Sequence, residues 1–144
     1  MSRLGLSAGL RDALAREARA AWPRECCGLI EGVREGEGWR ALALHPTANI
    51  AGAPERFEID PAAHVRLLRA LRGTGRDVIG CYHSHPDGVA APSARDGGVD
   101  FIWLIAAVDA RDCRAMKAYL RGDGAWRALA LDVSGPRREP APCA

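Results

Sequence analysis

The chain has 144 residues, a length typical of one domain with one hydrophobic core. Hydrophobic residues make up 48% and charged residues 26%, which excludes a disordered or collagen-like chain. The formal net charge is +2 and the arginines are spread along the chain, so we expect no nucleic-acid partner. The longest apolar run, Phe101 to Val108, is too short to cross a membrane, and the first residues lack the apolar core of a secretory signal. The sequence therefore predicts a soluble, cytoplasmic protein.

The five cysteines are an odd number without a CxxC pair or zinc-finger spacing, so a disulfide scaffold is not expected. Cys26 and Cys27 lie in an apolar run, where a reduced thiol behaves as a small hydrophobic side chain. Cys81 precedes a histidine by two positions and is a candidate neighbour of a metal.

The first half of the chain predicts a helix followed by a hairpin. Apolar residues recur at helical spacing from Ser7 to Trp22, and Pro23 disfavours helical geometry at the residue before it. Two apolar runs, Cys26 to Val33 and Trp39 to Pro46, flank a glycine-rich segment and are typical of a β-hairpin.

A second helix is predicted where Asp60 precedes Pro61, because an N-cap residue followed by proline is a common helix start. Gly73 would end this helix. Its apolar stripe comprises Val65, Leu67, Leu68 and Leu71.

The second half predicts four strands. They are Asp77 to His85, Phe101 to Val108, Arg114 to Leu120 and Ala125 to Val133. The last two flank Gly122-Asp123-Gly124, a strong hairpin signal. The order α-β-β-α-β-β-β-β predicts an α+β domain in which helices cover one central mixed sheet. We expect residues 1–133 to form this domain and residues 134–144 a flexible tail.

Two histidines at the end of a predicted strand indicate a metal site. His83 and His85 are two positions apart, so their side chains leave the same face of the strand. Pro86 ends the strand, and Asp96 in the following loop can supply a third ligand. Two histidines, one aspartate and an open fourth position are typical of catalytic zinc, which lowers the pKa of its water to about 7 and polarises a carbonyl. Six specified residues at fixed offsets over the fourteen positions from His83 to Asp96 would occur by chance with a probability on the order of 10⁻⁸ per start site.

Hydrolysis by a water molecule also needs a proton acceptor and a group that stabilises the oxyanion. Glu25, just before an apolar run, is the candidate base, although an ordinary carboxylate at the start of a strand has the same spacing. The Ser93 hydroxyl is the candidate oxyanion donor, but Ser93-x-x-Asp96 is also a capping-box pattern at a helix start.

These segments together resemble the JAMM/MPN metallopeptidase family, most closely its stand-alone bacterial members. The resemblance rests on PRECCGLI at 23–30, FEIDP at 57–61, GCYHSHP at 80–86 and PSARD at 92–96. It implies zinc ligands at His83, His85 and Asp96, a general acid/base at Glu25 and an oxyanion-stabilising serine at Ser93. It also implies one zinc ion per chain and a curved mixed sheet flanked by helices, related to the cytidine deaminase architecture.

The resemblance implies cleavage of an amide or isopeptide bond after the C-terminal glycine of a ubiquitin-like protein. In bacteria the corresponding substrates are sulfur-carrier proteins that end in Gly-Gly. One departure concerns the segment after Asp96, where the family usually has a helix and this chain has Gly97 and Gly98 before Phe101. That helix is expected to be reduced to a turn or to include Phe101 to Leu104. Asp100 is a competing candidate ligand, although the offset favours Asp96. His45 and His64 match no family position and are expected to be structural or exposed.

Two alternatives remain beside the peptidase. A non-catalytic module could bind a ubiquitin-like tail as an added strand at the sheet edge. The RadC-type DNA-repair-associated proteins carry a similar motif, usually with HNHP where this chain has His83-Ser84-His85-Pro86. A deaminase is not favoured, because its HxE and PCxxC ligands do not occur. The sequence does not indicate an oligomeric state.

Overall fold

The computed structural model describes residues 2–54, 56–93, 96 and 101–135. In chain order its elements are β1 (Arg3–Ser7), α1 (Ala8–Ala21), β2 (Cys27–Glu35), β3 (Gly38–Thr47), α2 (Pro61–Leu71), β4 (Asp77–His85), β5 (Ile102–Val108), β6 (Cys113–Gly122) and β7 (Ala125–Ser134). The predicted α+β class and the eight predicted elements are confirmed, and β1 is an addition. Neither helix has the length and apolar character that a bilayer-spanning helix needs.

The first strand was missed, because the sequence predicted a helix from Ser7 onward. Leu4 and Leu6 are fully buried within β1, while Arg3 and Ser7 are exposed. Ser7 ends the strand and caps the helix, since its hydroxyl accepts a hydrogen bond from the Leu10 N–H at 3.1 Å. The helix therefore begins at Ala8, and it ends at Ala21 with Trp22 as its C-cap, as the proline after it predicted.

The mixed sheet closes on itself in the order β1-β3-β2-β4-β5-β6-β7. Closure depends on β1, which pairs in parallel with β3 on one side and with β7 on the other. The sequence predicted one mixed sheet but not its closure, because the strand that joins its two ends was not predicted. The proposed relation to the cytidine deaminase architecture stays a prediction.

The main core lies between α1 and the sheet. Leu14, Ala15 and Ala18 are completely buried against apolar side chains from the strands, among them Ile30 and Tyr82. Helix α1 thus covers one face of the sheet and leaves the opposite face for other groups.

Helix α2 has the predicted bounds, but its apolar stripe is not buried. Asp60 caps the helix by accepting a hydrogen bond from the Ala62 N–H at 3.0 Å, with Pro61 in the first turn. However, no residue of α2 is buried, and Val65 and Leu68 are 43% and 42% exposed. Helix α2 packs mainly along β4, and this contact leaves Val65 and Leu68 exposed.

Strand β4 carries residues to both faces of the sheet. Tyr82 is part of the α1-side core, so Ser84 faces that side as well, whereas His83 and His85 alternate with them and point to the opposite face. Strand β5 runs parallel to β4 and pairs Ile105 with His83. Beyond β7, which includes Ser134, the predicted tail lies outside the described residues after residue 135.

Candidate metal centre

The two histidines at the end of β4 converge as the sequence predicted. The Nε2 atoms of His83 and His85 lie 2.9 Å apart, and both side chains are buried, at 0% and 6% exposure. Because the residues are two positions apart on one strand, the backbone itself places the two rings on one face.

Asp96 closes the group from the following loop. Its Oδ1 lies 3.3 Å from His83 Nε2 and its Oδ2 lies 3.2 Å from His85 Nε2. The Ser93 N–H donates to Asp96 Oδ2 at 2.8 Å, and the Asp96 N–H donates to the Ser93 carbonyl at 3.1 Å. The contact from the Ser93 N–H to the Asp96 side chain is one half of a capping box, and it helps to hold the Asp96 carboxylate against the two imidazoles.

The spacing of these atoms fits a tetrahedral zinc ion. Ligand atoms about 2.0–2.1 Å from such an ion lie roughly 3.3 Å from one another. The separations between His83, His85 and Asp96 are 2.9, 3.2 and 3.3 Å. Two imidazoles and one carboxylate are also the nitrogen and oxygen donors that zinc accepts in catalytic sites.

Metal binding requires neutral imidazoles and an ionised carboxylate, and the surroundings favour these states at His83 and Asp96 but favour the protonated ring at His85. Burial lowers the pKa of His83. Burial opposes ionisation of Asp96 as well, but the hydrogen bonds with His83 and His85 outweigh it and hold the pKa of Asp96 far below its usual value. For His85, burial is outweighed by the contacts with Asp96 and with the Val89 carbonyl, so the pKa of His85 is raised. The His85 Nδ1 lies 2.8 Å from that carbonyl, a contact in which Nδ1–H donates and Nε2 keeps its lone pair for the centre.

An aromatic wall that the sequence analysis did not assign to the site lies beside His83. The Phe57 ring stacks on the His83 ring with centroids 4.2 Å apart and planes 19° apart. Trp103 meets both rings edge-on, at 5.6 Å from His83 and 5.7 Å from Phe57. In the sequence, Phe57 is a single aromatic residue in an otherwise polar loop. Its role is visible only in the fold, which stacks it on His83.

Glu25 reaches the same place from the segment before β2. Its carboxylate lies within 4.8 Å of ligand atoms of His83 and His85, and the residue is only 7% exposed. Arg24, Thr47 and Asn49 line an open cavity beside it. A carboxylate that faces a cluster of imidazoles is not an ordinary surface group at the start of a strand, so the structure supports the functional interpretation of Glu25.

Other candidates lie elsewhere or outside the described residues. Cys81 does not belong to the cluster of described His, Cys, Asp and Glu side chains that could hold a metal. It is buried, and burial raises the pKa of its thiol above the ordinary value. His45 pairs with Glu31 at 2.8 Å, and His64 contacts the Phe101 ring edge-on. Asp100 falls outside the described residues, whereas Ile102 to Leu104 belong to β5 rather than to a helix.

Residues 7–119 match the sequence profile of a family described as prokaryotic homologs of the JAB domain. The chain is 35% identical to a desampylase from Haloferax volcanii over an alignment of 119 residues, and the alignment covers 76% of this chain and 84% of that protein. It is 39% identical over 93 residues to a Thermus thermophilus protein named "Probable TtuB-protein conjugate cleaving protease", covering 64% of this chain and 57% of the relative. A solution structure of protein DSY2949 from Desulfitobacterium hafniense superposes with a TM-score of 0.80 at 25% identity, covering 92% of this chain and 94% of the other.

Proposed function

We propose that this chain, which belongs to the family of prokaryotic homologs of the JAB domain, is a zinc-dependent peptidase that acts on conjugates of ubiquitin-like proteins. The bond cleaved would be the amide or isopeptide bond after a C-terminal glycine. The observation that carries the proposal is the convergence of His83, His85 and Asp96 to within 3.3 Å of one another, with the buried Glu25 carboxylate beside them.

His83 Nε2, His85 Nε2 and one oxygen of Asp96 would hold the zinc ion. When bound there, zinc supplies a lowered pKa to a coordinated water and polarises a carbonyl oxygen. Asp96 contributes the negative charge that a divalent cation needs, and the Val89 carbonyl fixes the ring orientation of His85.

Glu25 would act as the general acid/base. Its buried carboxylate is suited to accept a proton from the attacking water and to return it to the leaving nitrogen. Ser93 is exposed on the loop that carries Asp96, and its hydroxyl would stabilise the oxyanion of the tetrahedral intermediate.

The substrate class is supported by the relatives. The Thermus thermophilus relative is named a probable protease that cleaves TtuB-protein conjugates, and this chain spans 57% of its length. By this analogy we propose a ubiquitin-like or sulfur-carrier protein with a Gly-Gly tail as the partner. We also propose a cytoplasmic location, which is supported by the four cysteines that the structure describes, since each is a buried free thiol.

The first test is the zinc content of the purified protein, measured by elemental analysis. We expect about one zinc per chain, lost in His85→Ala and in Asp96→Ala and retained in His64→Ala, a histidine outside the centre. A folded wild type without zinc would refute the proposal.

The second test is turnover of a Gly-Gly-tailed carrier with a C-terminal extension. Wild type should cleave the extension, and Glu25→Gln should bind the carrier but cleave it about 100- to 10,000-fold more slowly. A wild type that binds the carrier and never cleaves it would instead support the non-catalytic module.

A further inference from the structure

The peptide group between Glu25 and Cys26 is held at both ends by side chains. The Glu25 carbonyl accepts a hydrogen bond from Asn49 Nδ2 at 3.0 Å. The Cys26 N–H donates to Ser84 Oγ at 2.8 Å. Glu25 and Cys26 precede β2, which begins at Cys27. Side chains therefore satisfy the backbone hydrogen bonds here, whereas strand pairing satisfies them further along the chain.

Asn49 uses its whole hydrogen-bonding capacity at this point. Besides the Glu25 carbonyl, Nδ2 donates to the Arg56 carbonyl at 2.9 Å, and Oδ1 accepts from the N–H groups of Ala51 and Glu58, both at 3.0 Å. Asn49 is the only asparagine in the chain, which contains no glutamine. One carboxamide therefore joins the Glu25 backbone to the segment that carries Phe57, the ring stacked on His83.

Ser84 joins the same peptide group to the strand of the two histidines. It lies between His83 and His85 in β4 and is fully buried. Its N–H also donates to the Cys26 carbonyl at 3.1 Å, so two hydrogen bonds connect Ser84 with Cys26. The position of Glu25 relative to the histidines is thus set by contacts on both sides of one peptide group.

We propose that Asn49 and Ser84 are positioning residues that hold Glu25 in register with the His83–His85 pair. This inference rests on the proposed function, because it gives Glu25 a task that requires a fixed place. A displacement of about 1 Å in a catalytic group can lower a rate on the order of 100-fold, so the part-buried hydrogen bond of Asn49 and the buried one of Ser84 suffice to control activity. Neither side chain is required to contact the substrate or the metal.

The variants Asn49→Asp and Ser84→Ala test this inference. Asn49→Asp keeps the size and the Oδ1 acceptor but removes both N–H donors, whereas Ser84→Ala removes the acceptor for Cys26. We expect kcat on a Gly-Gly-tailed carrier to fall about 10- to 100-fold, with KM and the zinc dissociation constant within about 2-fold of wild type. Thr74→Ala is the matched control, since Thr74 tethers a loop to backbone groups of Leu71 and Arg76 away from the centre and should leave kcat unchanged.

A double-mutant cycle separates positioning from general structural damage. In the Glu25→Gln background, Asn49→Asp should reduce the residual rate less than about 2-fold, because the group that Asn49 positions no longer acts. An equal loss in both backgrounds, or a loss of zinc binding that accounts for the lower rate, would overturn the inference while leaving the proposed function intact. A wild type that cleaves none of the carriers would refute the proposed function and this inference with it.

Discussion

Replacement of Phe57 by alanine should weaken zinc binding by a calculable amount. The Phe57 ring lies 4.2 Å from the His83 ring in a stacked arrangement, and among the described residues the buried His83 Nδ1 has no hydrogen-bond partner. The orientation of this ligand ring therefore depends on its aromatic neighbours rather than on a hydrogen bond of the usual kind. A stacked aromatic pair contributes about 0.5–1.5 kcal/mol, which corresponds to a loss of about 2- to 12-fold in zinc affinity.

The assay is a competition titration of zinc against a chromophoric chelator of known affinity. Phe57→Tyr should bind zinc like wild type, because it preserves the stacked ring, and Phe57→Leu should fall between wild type and Phe57→Ala. Phe101→Ala is the matched control. Phe101 is the other phenylalanine of the chain, and among the ring contacts of the described residues it contacts His64 and not His83. The reasoning would be refuted by an unchanged affinity in folded Phe57→Ala, or by Phe57→Tyr binding as weakly as Phe57→Ala.

Two further predictions concern stability. Gly28→Ala should lower the free energy of unfolding in urea by about 1–3 kcal/mol, because the added methyl group would overlap the buried Tyr82 ring. Gly52→Ala is the control, because Gly52 has open space around it, and it should change the free energy of unfolding by less than about 1 kcal/mol. Equal values for both variants would contradict this explanation. Glu31→Gln should cost about 1 kcal/mol at pH 7, because hydrogen bonds from Arg76 and then His45 lower the pKa of Glu31. Because the pKa of Glu31 is lower in the folded state, its ionised carboxylate stabilises the protein above the unfolded pKa of about 4.3, and this stabilisation is lost as the pH falls through the folded pKa. The difference in free energy of unfolding between Glu31→Gln and wild type should therefore shrink in acid. A difference that does not depend on pH would contradict this explanation.

Local signals in the sequence were sufficient for much of the fold. The Gly122-Asp123-Gly124 turn is correct in detail, since Asp123 and Gly124 have φ of 52° and 73°, the positive values that a two-residue hairpin turn requires. The ends of both helices also followed from residues next to them, the proline after α1 and the Asp60-Pro61 start of α2. The HxH pair was predictable for the same reason, because strand geometry alone puts both rings on one face.

Features that depend on distant partners could not be predicted. Strand β1 is five residues long, and both strands that pair with it lie far along the chain. The burial of α2 was overestimated because its periodicity shows an apolar stripe but not what covers it. Asn49 and Phe57 lie in a polar loop, and their significance comes from Glu25 and His83, which the fold brings to them from 24 and 26 positions away.

The closure of the sheet by β1 has a consequence for self-association. Exposed strand edges are templates for pairing between chains, and a single five-residue strand here covers parts of the edges of both β3 and β7. Fraying of this strand would uncover both edges at once, although its inward side chains, Leu4 and Leu6, are fully buried and oppose such opening. The amino-terminal segment therefore protects the folded chain from association, and its resistance to opening helps to determine how concentrated a solution of this protein can become before chains begin to pair.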